Sequence, residues 1–180
     1  MFNLVLTTLA IALTALVTVG TMVNLNPEMG VRRTTTETVA TSYRSFEGAV
    51  SAYRISNGGS VPPASNPPVP YSSGTGEPWG SLAPYMSGSR AAGGGAGNLV
   101  AVTGLDWTYA TDGAGKAYIC LSNANGGAVP PAVRQGVSAA VGKTSGAILG
   151  RTCGGTASAD AASSTDASPY AATFYVQAGG

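Results

Sequence analysis

The residues of this chain best able to do covalent chemistry are two cysteines, Cys120 and Cys153. There is no histidine. Its absence removes the commonest general base and the commonest metal ligand. Neither a Ser–His nor a Cys–His pair can be assembled, although composition leaves a Ser–Lys pair open. A structural zinc site takes about four nitrogen or sulfur ligands, and two cysteines fall short of that. In a chain with an export-type N-terminus, two cysteines most simply form one disulfide in an oxidising compartment. The alternative is a pair of reduced, buried thiols. No catalytic residue, metal or cofactor is expected, so the chain does not read as an enzyme.

Two stretches imitate a phosphate-binding loop. Gly93-Gly94-Gly95-Ala96-Gly97 lacks the Lys-Thr that must follow. Gly142-Lys143-Thr144 has it, but the pattern also needs a glycine where Val137 stands; Gly136 is one position off. The formal net charge is +1, only 9% of residues are charged, and no basic patch is visible, so no nucleic-acid site is expected. Gly, Ala, Ser and Thr dominate most of the chain. A polar, nearly uncharged surface suits packing against other copies better than repelling them.

The elements that would carry such a surface start with residues 2–23, FNLVLTTLAIALTALVTVGTMV. No charge precedes Glu28. A helix of this length spans roughly 30 Å, the thickness of a bilayer's hydrocarbon core. It is apolar on all sides, so it must sit in lipid or among its own kind. A cleaved secretory signal would show a basic start, a shorter apolar run and a small-residue cleavage site, and none of these is present. A signal-anchor fits better. Arg32 and Arg33 beyond the span would favour a cytoplasmic C-terminal domain by the positive-inside rule, whereas a disulfide favours the opposite side. A basic leader already removed from the N-terminus would resolve the conflict.

Gly20 and Pro27 mark a break in this helix, with residues 24–30 as a weak segment. A second, amphipathic helix is predicted over residues 31–57. Its apolar stripe is Val39, Tyr43, Phe46, Val50 and Tyr53, recurring at four, three, four and three. Arg33 with Glu37, and Arg44 with Glu47, are spaced to pair on its solvent side. Asn57-Gly58-Gly59 is a left-handed cap. Two regions follow: an apolar segment 1–27, and a head 28–180 with the amphipathic helix at its start. The head has about 150 residues, enough for one compact domain.

The rest reads as α+β. Residues 60–84 are too proline-rich for a regular helix or central strand and form a surface loop, anchored by Trp79 and Tyr85. Residues 90–97 are a flexible turn. Strand signals cover 98–103, 105–111 and 116–122, with a turn at 112–115, and predict a three-stranded antiparallel meander. Pro130-Pro131 starts a short helix with Val133, Val137, Ala140 and Val141 on its apolar face. After a Gly/Ala/Ser/Asp loop, residues 170–177 form a last strand.

This layout resembles a type IV pilin, most closely the type IVb group. The resemblance is carried by the apolar N-terminal run, the break from Gly20 to Pro27, the amphipathic continuation TSYRSFEGAVSAYRISNGG, and the cysteines of YICLS and GRTCGG. It implies a long N-terminal helix, apolar in its first half and amphipathic in its second, packed on an antiparallel β-sheet head. It implies a disulfide between Cys120 and Cys153. It further implies an inner-membrane precursor, a prepilin peptidase that removes a basic leader and methylates the new N-terminus at Met1, and a pilus assembly machinery. The subunits would then form a helical homo-oligomeric filament on the bacterial surface. Small residues such as Ala10, Ala12 and Ala15 would let the helices approach closely.

The chain departs from the family at one position. Where the family carries a glutamate, fifth in the mature chain, this sequence has Val5. The expected function is a structural filament subunit. The alternatives are a membrane-anchored extracytoplasmic binding domain, or a minor pilin or pseudopilin that does not polymerise.

Overall fold

The computed structural model describes residue 11 and residues 27–71, 78–86, 99–123, 126–158, 161 and 169–176. The first long element, α1, spans Pro27–Ser56. Starting on a proline costs a helix little, because first-turn N–H groups have no intrahelical acceptor. Glu28 in the first turn and Arg54 in the last complement the helix dipole. Gly58 and Gly59 both adopt positive φ, and the Gly59 N–H donates to the Arg54 carbonyl at 2.7 Å. This is the expected left-handed cap. Residues 28–30, expected to precede the amphipathic helix, are already helical. Gly30 is exposed and a Cβ there would meet nothing within 4 Å, so only its intrinsic propensity opposes the helix. The apolar run 2–23 lies outside the described residues apart from Ile11, and so do Met1, Gly20 and the glycine turn 90–97. Among the described residues no helix is long and apolar enough to cross a membrane.

The sheet has four antiparallel strands in the order β1-β2-β4-β3. They are β1 (Asp106–Thr111), β2 (Ala117–Ser122), β3 (Ala147–Gly150) and β4 (Ala171–Tyr175), with helix α3 (Pro131–Gly142) between β2 and β3. The hairpin turn between β1 and β2 is tied by Asp112, whose Oδ1 accepts the N–H groups of Ala114 and Lys116. The three-stranded meander is therefore corrected to a two-stranded hairpin, completed by strands that return from α3 and from the C-terminal part. Residues 99–103 form no strand. Val102 and Leu105 make an isolated bridge around Gly104, whose φ is 74°. The Val100 N–H donates to Ser42 Oγ on α1, so this backbone bonds to the helix and not to a neighbouring strand.

Side chains divide by the period of two that a strand imposes. Trp107, Tyr109, Ile119, Leu121, Ala172 and Phe174 face α1 and join its Val39, Phe46 and Val50 in the main core. The alternate residues Ala110, Tyr118, Cys120 and Ala171 cluster on the opposite face. Strand β2 is central and buried on both faces, which is why it reads as a continuous apolar run.

Helix α3 joins the same core through Val133, Val137 and Ala140 and crosses α1 at Gly136. A Cβ at Gly136 would lie 2.6 Å from Thr35 Cβ and 2.8 Å from the Arg32 carbonyl oxygen. Thr36 Oγ1 donates to the Gly136 carbonyl at 3.0 Å across the crossing.

The proline-rich loop is pinned at three points. Tyr109 donates its hydroxyl to the Pro62 carbonyl at 2.7 Å, Trp79 Nε1 donates to the Val69 carbonyl, and Pro70 bridges to Thr108 on the edge strand β1. Proline there screens an edge that would otherwise invite further strands. Trp79 is buried and Tyr85 half-buried, as anchors should be. Against the expectation of a loop without regular helix, it also holds a one-turn helix α2 (Trp79–Leu82) and a 3-10 turn (Ala83–Tyr85), where Pro78 and Pro84 stand at cap and first-turn positions that need no N–H donor.

Candidate functional site

Two places could carry function: the start of α1, and the disulfide face of the sheet. On α1 the burial changes abruptly. Residues 27–34 are all exposed; Thr35 and Thr36 are the first to be buried. Met29 and Val31 lie in the exposed part, at 64% and 44% of their full exposure. From Thr35 onward the stripe works as expected. Val39, Tyr43, Phe46 and Val50 are buried, and Tyr53 is half-buried, edge-on to Tyr85. Phe46 packs on Trp79 and Tyr109, and Tyr43 on Phe174. The Arg33–Glu37 pair forms at 3.0 Å on the solvent side. Among the described residues no such bond joins Arg44 to Glu47; Glu47 Oε1 instead accepts the Tyr43 hydroxyl at 3.3 Å.

The same hydroxyl also reaches the Tyr175 carbonyl at 3.0 Å, tying α1 to the end of β4. Burial, and then the neighbouring Glu47 carboxylate, push the Tyr43 phenol up to about 12. Burial likewise raises Tyr109 and Tyr170. These phenols stay protonated and serve as donors that lock elements together.

On the other face, Cys120 and Cys153 form a disulfide with Cα atoms 5.7 Å apart. It joins the centre of β2 to the turn after β3 and closes a loop containing α3. The strand registers place Thr108 and Thr173 on either side of Cys120. Thr173 Oγ1 accepts the Gly154 N–H at 3.0 Å and lies 3.9 Å from Cys120 Sγ; Thr108 Oγ1 lies 3.9 Å from Cys153 Sγ. Gly154 has φ 68° and sits against the Tyr118 ring. Two threonines and an aromatic ring thus enclose the bridge. A disulfide is a mark of an extracytoplasmic location.

The remaining candidates are structural. Arg134 is buried; its Nε donates to the Val129 carbonyl, and its guanidinium lies 5.3 Å from the Tyr170 ring centroid. Gly142-Lys143-Thr144 closes α3 at its C-terminus, the wrong end of a helix to cradle a phosphate. Lys116 and Lys143 are both exposed. Among the described residues, no group of three or more His, Cys, Asp or Glu could hold a metal ion.

Three features escaped the sequence reading. The pairing of Thr108 with Cys120 follows from the Asp112 turn, whereas Thr173 comes from β4, whose register that turn does not set. The closeness of α1 and α3 at Gly136 had no signal beyond a glycine in a helix. The third is a groove of about 510 Å3 beside the start of α1, whose walls come from three separate parts of the chain.

Compared with known proteins, the chain matches no family model, no curated protein and no solved structure. Its architecture is nonetheless pilin-like: a long helix packed on a four-stranded antiparallel sheet that carries one disulfide.

Proposed function

We propose that this chain is the structural subunit of an extracellular type IV pilus-like filament, assembled from the inner membrane by packing of N-terminal segments, with no catalytic role. One observation carries the reading. Residues 27–34, the first two turns of α1, are exposed, Met29 and Val31 among them, and in sequence they follow the uncharged run 2–23. A head whose leading helix begins with exposed turns, preceded in sequence by an apolar segment, suits a molecule that exchanges lipid for copies of itself. On this reading a prepilin peptidase and assembly machinery act on the N-terminus, and Met1 is the processed residue.

Shearing intact cells and sedimenting the released material tests this. High-molecular-weight filaments rich in this chain are expected. Recovery of the chain only in detergent-soluble membrane would sink the proposal. Mass spectrometry of the native N-terminus should show a free or methylated Met1; a longer N-terminus or a formyl group would count against pilin-type processing.

A second reading, a membrane-anchored extracytoplasmic binding domain, is favoured by one feature. A cavity of about 710 Å3 opens near the C-terminal end of α1, with Arg54 and Lys116 among its lining and Ile148 and Val176 on its apolar side. Val5 keeps a third reading in view, a minor pilin or pseudopilin that does not polymerise.

A further inference from the structure

The groove beside the start of α1 is built from Thr34, Thr35 and Thr38 of that helix, residues 100–103, and Val133 of α3. Gly30 and Val31 extend it toward the helix start. No charged residue lines it. Its outer wall is fixed from behind: the Val100 N–H is held by Ser42 Oγ at 3.2 Å, the Val100 carbonyl accepts Trp107 Nε1 at 3.0 Å, and the Val102 carbonyl accepts the Leu105 N–H at 3.0 Å. The backbone of Val100 is thus fully engaged while its side chain is 55% exposed. Val31 faces the groove from the helix side, also exposed. Two pinned, bare valines on the walls of an uncharged channel are a preformed apolar seat.

We infer that this groove is the seat for part of the apolar run 2–23 of a second copy of the chain. Three observations select that occupant. The run holds no charge, matching a groove without one. In sequence it ends four residues before Pro27, close to Gly30 and Val31 of the groove's lining. The exposed apolar residues Val31 and Val100 line the groove and offer an apolar surface to the run. The groove and the run are unlike surfaces of one chain, so their contact is heterologous. Each copy offers a seat to one neighbour and a run to another, and such a contact propagates as an open helical array. The inference rests on the filament reading and gives that filament a specific head-to-run contact.

The test uses single-cysteine variants of the full chain, Leu13→Cys and Val100→Cys, co-expressed and treated with a bis-maleimide. Cys120 and Cys153 are joined to each other and do not react. The mixed dimer should exceed the dimers of either variant alone by about tenfold. Leu13→Cys dimers without the mixed dimer would overturn the inference and leave the filament reading standing. Absence of every dimer, with no sedimenting material, would overturn both. An intrachain link in the doubly substituted chain, at expression too low for assembly, would show that the groove holds its own run and would also overturn the inference. Independently, Val100→Lys should lower the sedimented fraction by about tenfold or more. The head should keep its wild-type far-UV circular dichroism and its oxidised disulfide. Unchanged sedimentation of that variant would overturn the inference.

Discussion

The two ends of α1 obey different rules within one uninterrupted helix. From Thr35 to Val50 the apolar side chains are covered by the sheet and by α3; from Pro27 to Thr34 every residue is exposed, Met29 and Val31 included. In the first two turns the contact with the rest of the head is made by backbone, the Arg32 carbonyl against Gly136, and not by buried side chains. On the filament reading proposed above, these exposed turns are where another copy would pack.

The largest effect should separate the two ends. Phe46 is fully buried between Trp79 and Tyr109, so Phe46→Ala should destabilise the head by about 3–5 kcal/mol. Val31→Ala, fifteen residues earlier on the same helix, should change head stability by less than about 0.5 kcal/mol. Denaturant unfolding of the full chain in detergent measures both. Similar losses from the two substitutions would break the comparison, because they would mean that the exposed turns contribute to the head after all.

Removing the disulfide acts on the sheet beneath the buried end without touching the helix. The bridge closes a span of 33 residues, and Cys120→Ser with Cys153→Ser should cost about 2–4 kcal/mol. Trypsin sensitivity sharpens the contrast. Cleavage after Arg32 and Arg33, in the exposed turns, should be little changed. Cleavage after Arg134, which is buried, should rise steeply. Equal acceleration at both would indicate that α1 melts as one unit with the head.

The buried end of α1 was legible in the sequence and the exposed end was only half so. Spacings of three and four picked out Val39, Tyr43, Phe46 and Val50, because a stripe of that period has one stable use, to cover a sheet. The cap at Asn57–Gly59 was legible because left-handed backbone is nearly a glycine property. The strand misread at 98–103 shows where such reasoning fails. Leu99, Val100 and Val102 have strand propensity, but tertiary bonds to Ser42 and Trp107 decided their backbone, and propensity is weak against that. The groove was invisible for the same reason. Its walls are three segments far apart in sequence, and none of them is unusual alone. The cysteine pair was read correctly from compartment logic, whereas the threonines that enclose it depend on strand register.

The α1–α3 crossing is where the two ends of α1 meet. Gly136→Ala would place a methyl group 2.6 Å from Thr35 Cβ and 2.8 Å from the Arg32 carbonyl oxygen, the second a backbone atom that cannot swing away. The expected loss is about 1–3 kcal/mol. Gly142→Ala, at the end of the same α3 with nothing within 4 Å, should be neutral or slightly stabilising. Thermal melts of the two variants decide whether the crossing is as tight as it looks. Because Arg32 and Thr35 straddle the boundary, Gly136→Ala should also push the exposed turns outward and reduce bis-maleimide linkage at Val100.

The smallest effect concerns one hydroxyl that ties the buried end of α1 to β4. Tyr43 donates to the Tyr175 carbonyl and to Glu47, and its phenol is raised from 10.0 to about 12 by burial first and by Glu47 second. A raised folded-state value means that the native state holds the proton more tightly than the unfolded chain. Its contribution is fully present below pH 10, where both states are protonated. Between pH 10 and about 12 the unfolded chain gives up its proton first, so stability falls as pH rises through that window, with a slope approaching about 1.4 kcal/mol per pH unit for this single group. Tyr109 and Tyr170, raised by burial as well, add to the same alkaline loss. Tyr43→Phe isolates the share that belongs to α1. It removes one proton from the balance, so its stability should decline less steeply than wild type above pH 10. Its lower stability at neutral pH should come only from the lost hydrogen bonds, about 0.5–1.5 kcal/mol. An unaltered alkaline slope would mean that Tyr43 is solvated in the native state, and that the buried end of α1 is held on the sheet by its apolar stripe without this polar tie.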